Sequence, residues 1–142
     1  MYKRQDIYSS VITKNKLIII VCDNGGFAVI NRLQLFKGGK EFNNLLKSSK
    51  TPGLVDVDFA KHAESMGAKS EHVTSISDLE EAFQRAKKSD VTYVISIKTH
   101  AYKWVEGSAF WDSPTLEISS TKENQEALKL HKDGKSKQRQ GI

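Results

Sequence analysis

The chain is poor in most of what would declare a structural class at once. It has one cysteine, Cys22, among 142 residues, which excludes an internal disulfide framework and a zinc site built from several cysteines. Two prolines and nine glycines are too few for a collagen-like or low-complexity chain. The longest apolar run, LIIIVC at residues 17–22, falls far short of the roughly 20 residues a membrane-spanning helix needs. Residues 1–16 are polar and lack the apolar stretch of about 7–15 residues on which a signal peptide depends. These absences point to a cytoplasmic protein without a membrane partner.

What is present suits a folded domain. Charged residues make up 27% and hydrophobic ones 38%, a balance that permits a core and argues against disorder. Lys and Arg number 22 against 17 Asp and Glu, a net charge of +5, which raises nucleic acid as a possible partner. The surplus is concentrated at the end, where residues 122–142 hold six Lys or Arg against three Asp or Glu. Such a run is usually a solvated face or tail.

Along the chain, strands and helices alternate. Residues 16–22 (KLIIIVC) read as a strand covered on both faces, with Cys22 a small buried hydrophobe at its end rather than a nucleophile. Asp23-Asn24-Gly25-Gly26 forms a loop, and Phe27, Ile30 and Leu33 mark the buried stripe of a helix over residues 27–36. Residues 38–53 are turn-rich. Residues 58–66 suggest a helix with Phe59, Ala63 and Met66 on one side, ending at Gly67. A brief strand over 71–74 precedes a helix opened by a capping box at Ser77-Asp78-Leu79-Glu80, with Ile76, Leu79, Phe83 and Ala86 as its buried stripe. Residues 91–98 (VTYVISIK) give another β-branched strand. A second capping box, Ser120-Thr121-Lys122-Glu123, starts a last helix that fades into the basic end. The fold class is α/β, with a mostly parallel sheet and helices on its faces.

In open α/β sheets ligands bind beyond the carboxyl ends of the strands, so residues 23–27 and the segment after Lys98 are the places for chemistry. Asp23-Asn24-Gly25-Gly26 offers side-chain oxygens and carbonyls just ahead of a helix N-terminus, which suits an anion bridged by a hard cation such as Mg²⁺. The same residues also make an ordinary turn. His100, Tyr102, Trp104, Glu106 and Trp111 follow a strand end and either approach a substrate or pack over the sheet. His62, His72 and His131 read as structural or solvated residues.

The stretch CDNGGFAVINRLQ resembles the second half of the bipartite motif of thiamine diphosphate-dependent enzymes. Asp23-Asn24 stand where that family has an Asn pair, Phe27 and Ala28 at its aromatic and small positions, and Gln34 at its downstream glutamine. The resemblance implies a thiamine diphosphate-binding fold of three layers. It implies Mg²⁺ held by the Asn24 side chain and the Gly26 backbone carbonyl, with Asp23, Gly25, Phe27, Ala28 and Val29 completing the cofactor-binding set. Asp23 and Ala28 depart from the commonest pattern, and neither departure removes a metal ligand. The segment VDFAKHAESMGAKSEHVTSISDLEEAFQRAKKSDVTYVISIK looks like the rest of the same domain. A narrower resemblance is to a branch that opens a cyclic diketone by C–C hydrolysis in inositol catabolism. It is carried by Phe42-Asn43-Asn44-Leu45-Leu46, Trp104-Val105-Glu106-Gly107 and Phe110-Trp111-Asp112.

The resemblance further implies that the activating glutamate lies on another domain, contributed by another subunit of a homodimer or homotetramer, so no catalytic residue is assigned to this chain. The family's Gly-Asp-Gly turn, which supplies another Mg²⁺ ligand, is not found ahead of Asn24. The expectation is therefore a carboxyl-terminal piece, inactive alone, whose residues 1–5 are a sequencing-adapter remnant. Residues 6–120 would be the diphosphate-binding part with its aromatic extension, and residues 121–142 a terminal helix and basic tail. A nucleic-acid-binding α/β domain and a related lyase are the rival readings. A nicotinamide-binding domain is not, because Gly25-Gly26 does not continue as G-x-G-x-x-G.

Overall fold

The computed structural model describes residues 4–50, 56–104 and 115–139. The chain divides into two units, Met1–Gly25 with Gly53–His100, and Gly26–Pro52 with Ala101–Ile142.

The first unit holds α1 (Arg4–Ile12), β1 (Ile18–Asp23), α3 (Phe59–Glu64), β2 (Lys69–Val73), α4 (Ile76–Lys88) and β3 (Tyr93–Lys98); α2 (Ala28–Phe36) belongs to the second unit. The strands form a parallel sheet in the order β1-β3-β2. The central strand is the most apolar in its middle, and Val94, Ile95, Ser96 and Ile97 are all buried. Alternation along the pleat sends Ile95 and Ile97 to one face, where they meet Val73, Ala82 and Ala86. Val94 goes to the other face with Ile7, Ala63 and Ala68. The expected α/β sandwich with helices on both sides of a parallel sheet is thus present within this unit, with α4 on one side and α1 and α3 on the other.

Polar groups inside it are paired. Ser10 Oγ lies 2.7 Å from Thr92 Oγ1 and donates to the Ile7 carbonyl, while the Leu17 N–H donates to Thr92 Oγ1 at 3.1 Å. These bonds spare the entry of β1 the cost of an orphaned buried donor. On the sheet's flank, Arg85 reaches from α4 to Glu71 on β2 with two hydrogen bonds of 3.1 and 2.7 Å, and the Tyr93 hydroxyl donates to the same carboxylate at 2.6 Å. The Arg85 hydrogen bonds, aided by Tyr93 against an opposing effect of burial, hold the Glu71 carboxyl below its ordinary value of 4.5. A depressed folded-state value stabilises above the unfolded value and is lost as pH falls through the folded one. Glu71→Gln is therefore expected to lower the urea midpoint near neutrality, modestly because the pair is partly exposed, and to flatten its acid limb below about pH 4.5, where the wild type loses the same contribution.

Several expectations are corrected. Strand β1 is not covered on both faces among the described residues: it lies at the edge of the sheet, Ile20 is exposed, and so is Cys22. The α4 helix is capped by Ser75, whose side chain accepts from the Asp78 N–H at 3.0 Å, and not by Ser77. That start places Ile76 on the outer side of the first turn, 67% exposed, and Phe83 is exposed as well. The face that meets the sheet is Leu79, Ala82 and Ala86, because small side chains let the helix approach Ile95 and Ile97 closely. The α3 helix is shorter than the expected 58–66, ending at Glu64, with Ala60 and Ala63 buried and the Asp58 side chain accepting from the Lys61 N–H, and β2 begins two residues before the predicted strand.

The second unit contains α2, a 3₁₀ turn at Leu46–Ser48 and α5 (Lys122–Ser136). Its inward face differs from the predicted stripe. Ala28 and Asn31 are buried, whereas Phe27 and Ile30 are exposed. Gln34 ties α2 to the chain that follows, donating to the Lys40 carbonyl and accepting from Asn44 Nδ2, both at 2.5 Å. The capping box expected at Ser120 is not formed: Thr121 is the N-cap and makes no side-chain cap bond. Asn124 does the fastening instead: with its amide turned to satisfy both ends, it donates to the Lys37 and Gly38 carbonyls at 3.0 Å each and accepts from Ser119 Oγ and Thr121 Oγ1. The α5 helix continues through Ser136, so most of the predicted basic tail is helical, His131 included. Among the described residues no helix is long and apolar enough to cross a membrane.

Candidate functional site

Strand β1 delivers Asp23 to the carboxyl edge of the sheet. Lys98 lies opposite it in the parallel register, and the Thr99 N–H donates to the Asp23 carbonyl at 2.8 Å. The Asp23 side chain is only 11% exposed, and both its oxygens are committed. Oδ2 accepts from Lys98 Nζ at 2.7 Å, and Oδ1 accepts from the Gly25 N–H at 2.9 Å. Burial pushes the Asp23 carboxyl up, but the bonds from Lys98 and Gly25 outweigh it and hold the group below its ordinary value. The same ammonium meets Asp56 Oδ1 at 2.6 Å, and the two carboxylates raise the Lys98 value.

This arrangement divides the labour between neighbours. Asp23 shapes the turn and is spent on the protein. Asn24, half-buried, enters no hydrogen bond among the described residues through its side chain, which leaves a neutral carbonyl oxygen of the kind a hard cation takes. Gly25 has φ of +74°, and a Cβ added there would meet nothing within 4 Å, so its backbone face is open to a ligand.

In the second unit, Gly26 is tightly placed. Its φ is +150°, and a Cβ would fall 2.5 Å from the Asn44 carbonyl oxygen and 2.9 Å from Leu45 Cα. The Phe27 N–H donates to that same Asn44 oxygen at 2.7 Å, and Gly26 bridges Leu45. The returning segment at 44–45 therefore fixes the start of α2. Phe27 is the N-cap residue and supplies no side-chain cap; a helix start of this kind can accept an anion such as a phosphate. Of the expected channel-lining residues, Phe27 is 72% exposed, Val29 is exposed and Ala28 is 1% exposed.

The aromatic residues after β3 are accounted for as far as they are described. Trp104 stacks on the Arg32 guanidinium with 4.9 Å to the ring centroid, and Tyr102 takes the Lys47 ammonium at 4.0 Å. Tyr102, and then Asn31, hydrogen-bond the Glu41 carboxylate and hold it below its ordinary value. These contacts support packing of Tyr102 and Trp104 against α2 and the segment after it. His100 and His72 are exposed. Glu106, Gly107, Phe110, Trp111 and Asp112 lie outside the described residues, as do residues 1–3. Sequence reasoning missed Lys98 and Asp56 as partners of the loop, and it missed Asn44 as the residue that seats Gly26 and Phe27.

Within the first unit, an edge strand thus ends in an Asp-Asn-Gly turn at the carboxyl end of a parallel sheet, the place where α/β sheets bind ligands. The chain belongs to the thiamine pyrophosphate enzymes: the family model described as "Thiamine pyrophosphate enzyme, C-terminal TPP binding domain" matches residues 1–97. Among curated proteins it is similar to 3D-(3,5/4)-trihydroxycyclohexane-1,2-dione hydrolase of Halalkalibacterium halodurans, 29% identical over 90% of this chain and 20% of the relative. The protein of the same name from Bacillus licheniformis is 30% identical over 87% of this chain and 20% of its own length. That from Bacillus thuringiensis is 33% identical over 86% and 20%. The chain thus spans about a fifth of the curated relatives it matches. Among solved structures, the thiamine diphosphate-dependent 4-hydroxybenzoylformate decarboxylase of Rhodococcus jostii RHA1 superposes with a TM-score of 0.53 at 24% identity, covering 68% of this chain and 17% of that one, a likeness of fold.

Proposed function

We propose that the complete gene product carrying this chain is a thiamine diphosphate- and Mg²⁺-dependent hydrolase that opens the ring of trihydroxycyclohexane-1,2-dione to 5-deoxyglucuronate in inositol catabolism. The observation that carries the substrate is the similarity, over 86–90% of this chain, to hydrolases of that name. Thiamine diphosphate, when bound, would supply the nucleophilic carbon and the cationic ring that serves as electron sink for breaking a C–C bond beside a carbonyl. The residues of this chain bind and orient. Asn24 Oδ1 and the Gly26 carbonyl would hold Mg²⁺ against the diphosphate, which fits an Asn24 amide that enters no hydrogen bond among the described residues. The N–H groups at the start of α2 would meet the diphosphate, and Asp23 and Gly25 shape the turn. Phe27, Ala28 and Val29 are assigned to the cofactor channel, and the exposed side chains of Phe27 and Val29 suit a surface that other parts of the enzyme cover.

On this reading the glutamate that activates the cofactor comes from another domain of a cytoplasmic homodimer or homotetramer, with active sites between subunits. Neither nucleic acid nor membrane takes part, and residues 1–142 alone turn over no substrate. The test is to supply the complete gene product and the 142-residue chain with the cyclic diketone, thiamine diphosphate and Mg²⁺. Ring opening by the complete product alone is expected. Turnover by the isolated chain, or decarboxylation of a 2-oxo acid in place of ring opening, would overturn the reading.

A further inference from the structure

Lys98 is an odd residue to find fixed. Its side chain is 51% exposed and its second partner, Asp56, is 77% exposed, so the pair with Asp56 adds little to stability. The geometry of the two ion pairs nevertheless converges on a single turn. Lys98 Nζ meets Asp23 Oδ2 at 2.7 Å, Asp23 Oδ1 accepts from the Gly25 N–H at 2.9 Å, and the Asp23 carbonyl accepts from the Thr99 N–H at 2.8 Å. Asn24 is the residue bracketed by these bonds: its neighbour on one side is held by side chain and backbone, and its neighbour on the other by the N–H. Asp56 Oδ1, at 2.6 Å from Nζ, holds the ammonium from a second direction.

We propose that Lys98 is a positioning residue for the metal-binding turn, acting through Asp23 to fix the direction in which Asn24 presents its carbonyl oxygen. The inference rests on the thiamine reading above. It also assigns Lys98 a second effect. By occupying Asp23 Oδ2 it keeps a carboxylate oxygen, one residue from Asn24, from competing as a cation ligand and from repelling a diphosphate.

Binding of thiamine diphosphate to the complete gene product, titrated at fixed Mg²⁺, tests this. Lys98→Met is expected to weaken binding by about 10-fold or more, the range typical of groups that orient metal ligands. Thermal unfolding without cofactor should fall only in part, because Asp23 loses its cation, while the variant stays folded at the titration temperature; a merely structural role would move unfolding and leave binding by the folded variant unchanged. Lys98→Arg, which restores the cation, should recover binding to within about 3-fold, well inside the 10–100-fold loss expected when such a group is removed. In Asp23→Asn, where the carboxylate is gone but the acceptor for the Gly25 N–H is kept, adding Lys98→Met should cost much less than it does in the wild type. Wild-type binding with an equally tight Lys98→Met variant, or additive losses in the double variant, would overturn the role of Lys98. A wild type that binds no thiamine diphosphate would overturn the thiamine reading itself.

Discussion

Asn24→Ala is expected to abolish Mg²⁺-dependent retention of thiamine diphosphate by the complete gene product, with apparent affinity falling by about 100-fold or more, at or beyond the top of the range for residues that merely support a ligand. The fold should survive. The Asn24 side chain enters no hydrogen bond among the described residues, and the turn around it is held by Asp23 and Lys98. Asn24→Asp separates the two possible reasons for a loss. It keeps an oxygen ligand and adds a negative charge beside the diphosphate, so Mg²⁺ binding should persist while cofactor affinity falls less than in Asn24→Ala. Calorimetric titration of cofactor with Mg²⁺ present checks both variants, with circular dichroism to confirm folding.

Gly26→Ala should do more damage than Gly25→Ala, although the two residues are adjacent and both have positive φ. At Gly25 the added methyl meets nothing within 4 Å, so the cost is the backbone conformation alone, about 1–2 kcal/mol. At Gly26 the methyl would fall 2.5 Å from the Asn44 carbonyl oxygen and 2.9 Å from Leu45 Cα, atoms of the main chain that cannot rotate away. Relief requires the segment at 44–45 to move, which breaks the 2.7 Å bond from the Phe27 N–H to Asn44 and loosens the start of α2. The expected loss exceeds that of Gly25→Ala by at least about 1 kcal/mol in urea denaturation, accompanied by loss of cofactor binding. Equal losses in the two variants would contradict this account of the turn.

The sequence carried the sheet and the motif further than it carried the faces of the helices. Residues 91–98 announced β3 because a β-branched run buried on both sides has no polar alternation to confuse it. The loop at Asp23-Asn24-Gly25-Gly26 reads as an ordinary turn on its residues alone, and it stood out through the resemblance of CDNGGFAVINRLQ to the motif of thiamine enzymes. Helix faces were harder. In α4 the predicted Leu79 and Ala86 do face the sheet, but Ile76 and Phe83 are exposed and Ala82 takes their place, so hydrophobicity alone chose half of the stripe. At α2 the apolar residues Phe27 and Ile30 are exposed while Ala28 and Asn31 are buried, so there too the apolar stripe was not the buried one. Cys22 was misplaced because burial of β1 depends on its position at the sheet's edge, and strand order was not readable from composition. The Lys98–Asp23 pair was hidden for the same reason: the residues are 75 apart and meet only through the parallel register of β1 and β3. The capping boxes erred by small shifts, since Ser75 competes with Ser77 for the same helix start.

The central claim is that this chain carries the diphosphate- and metal-binding part of a thiamine enzyme, and calorimetric titration of the wild-type complete gene product with thiamine diphosphate tests it most directly, once with Mg²⁺ and once with the metal chelated. Saturable binding that requires Mg²⁺ and is lost in Asn24→Ala is the expected result. Binding that is indifferent to chelation and to Asn24, or no binding at all, would contradict it.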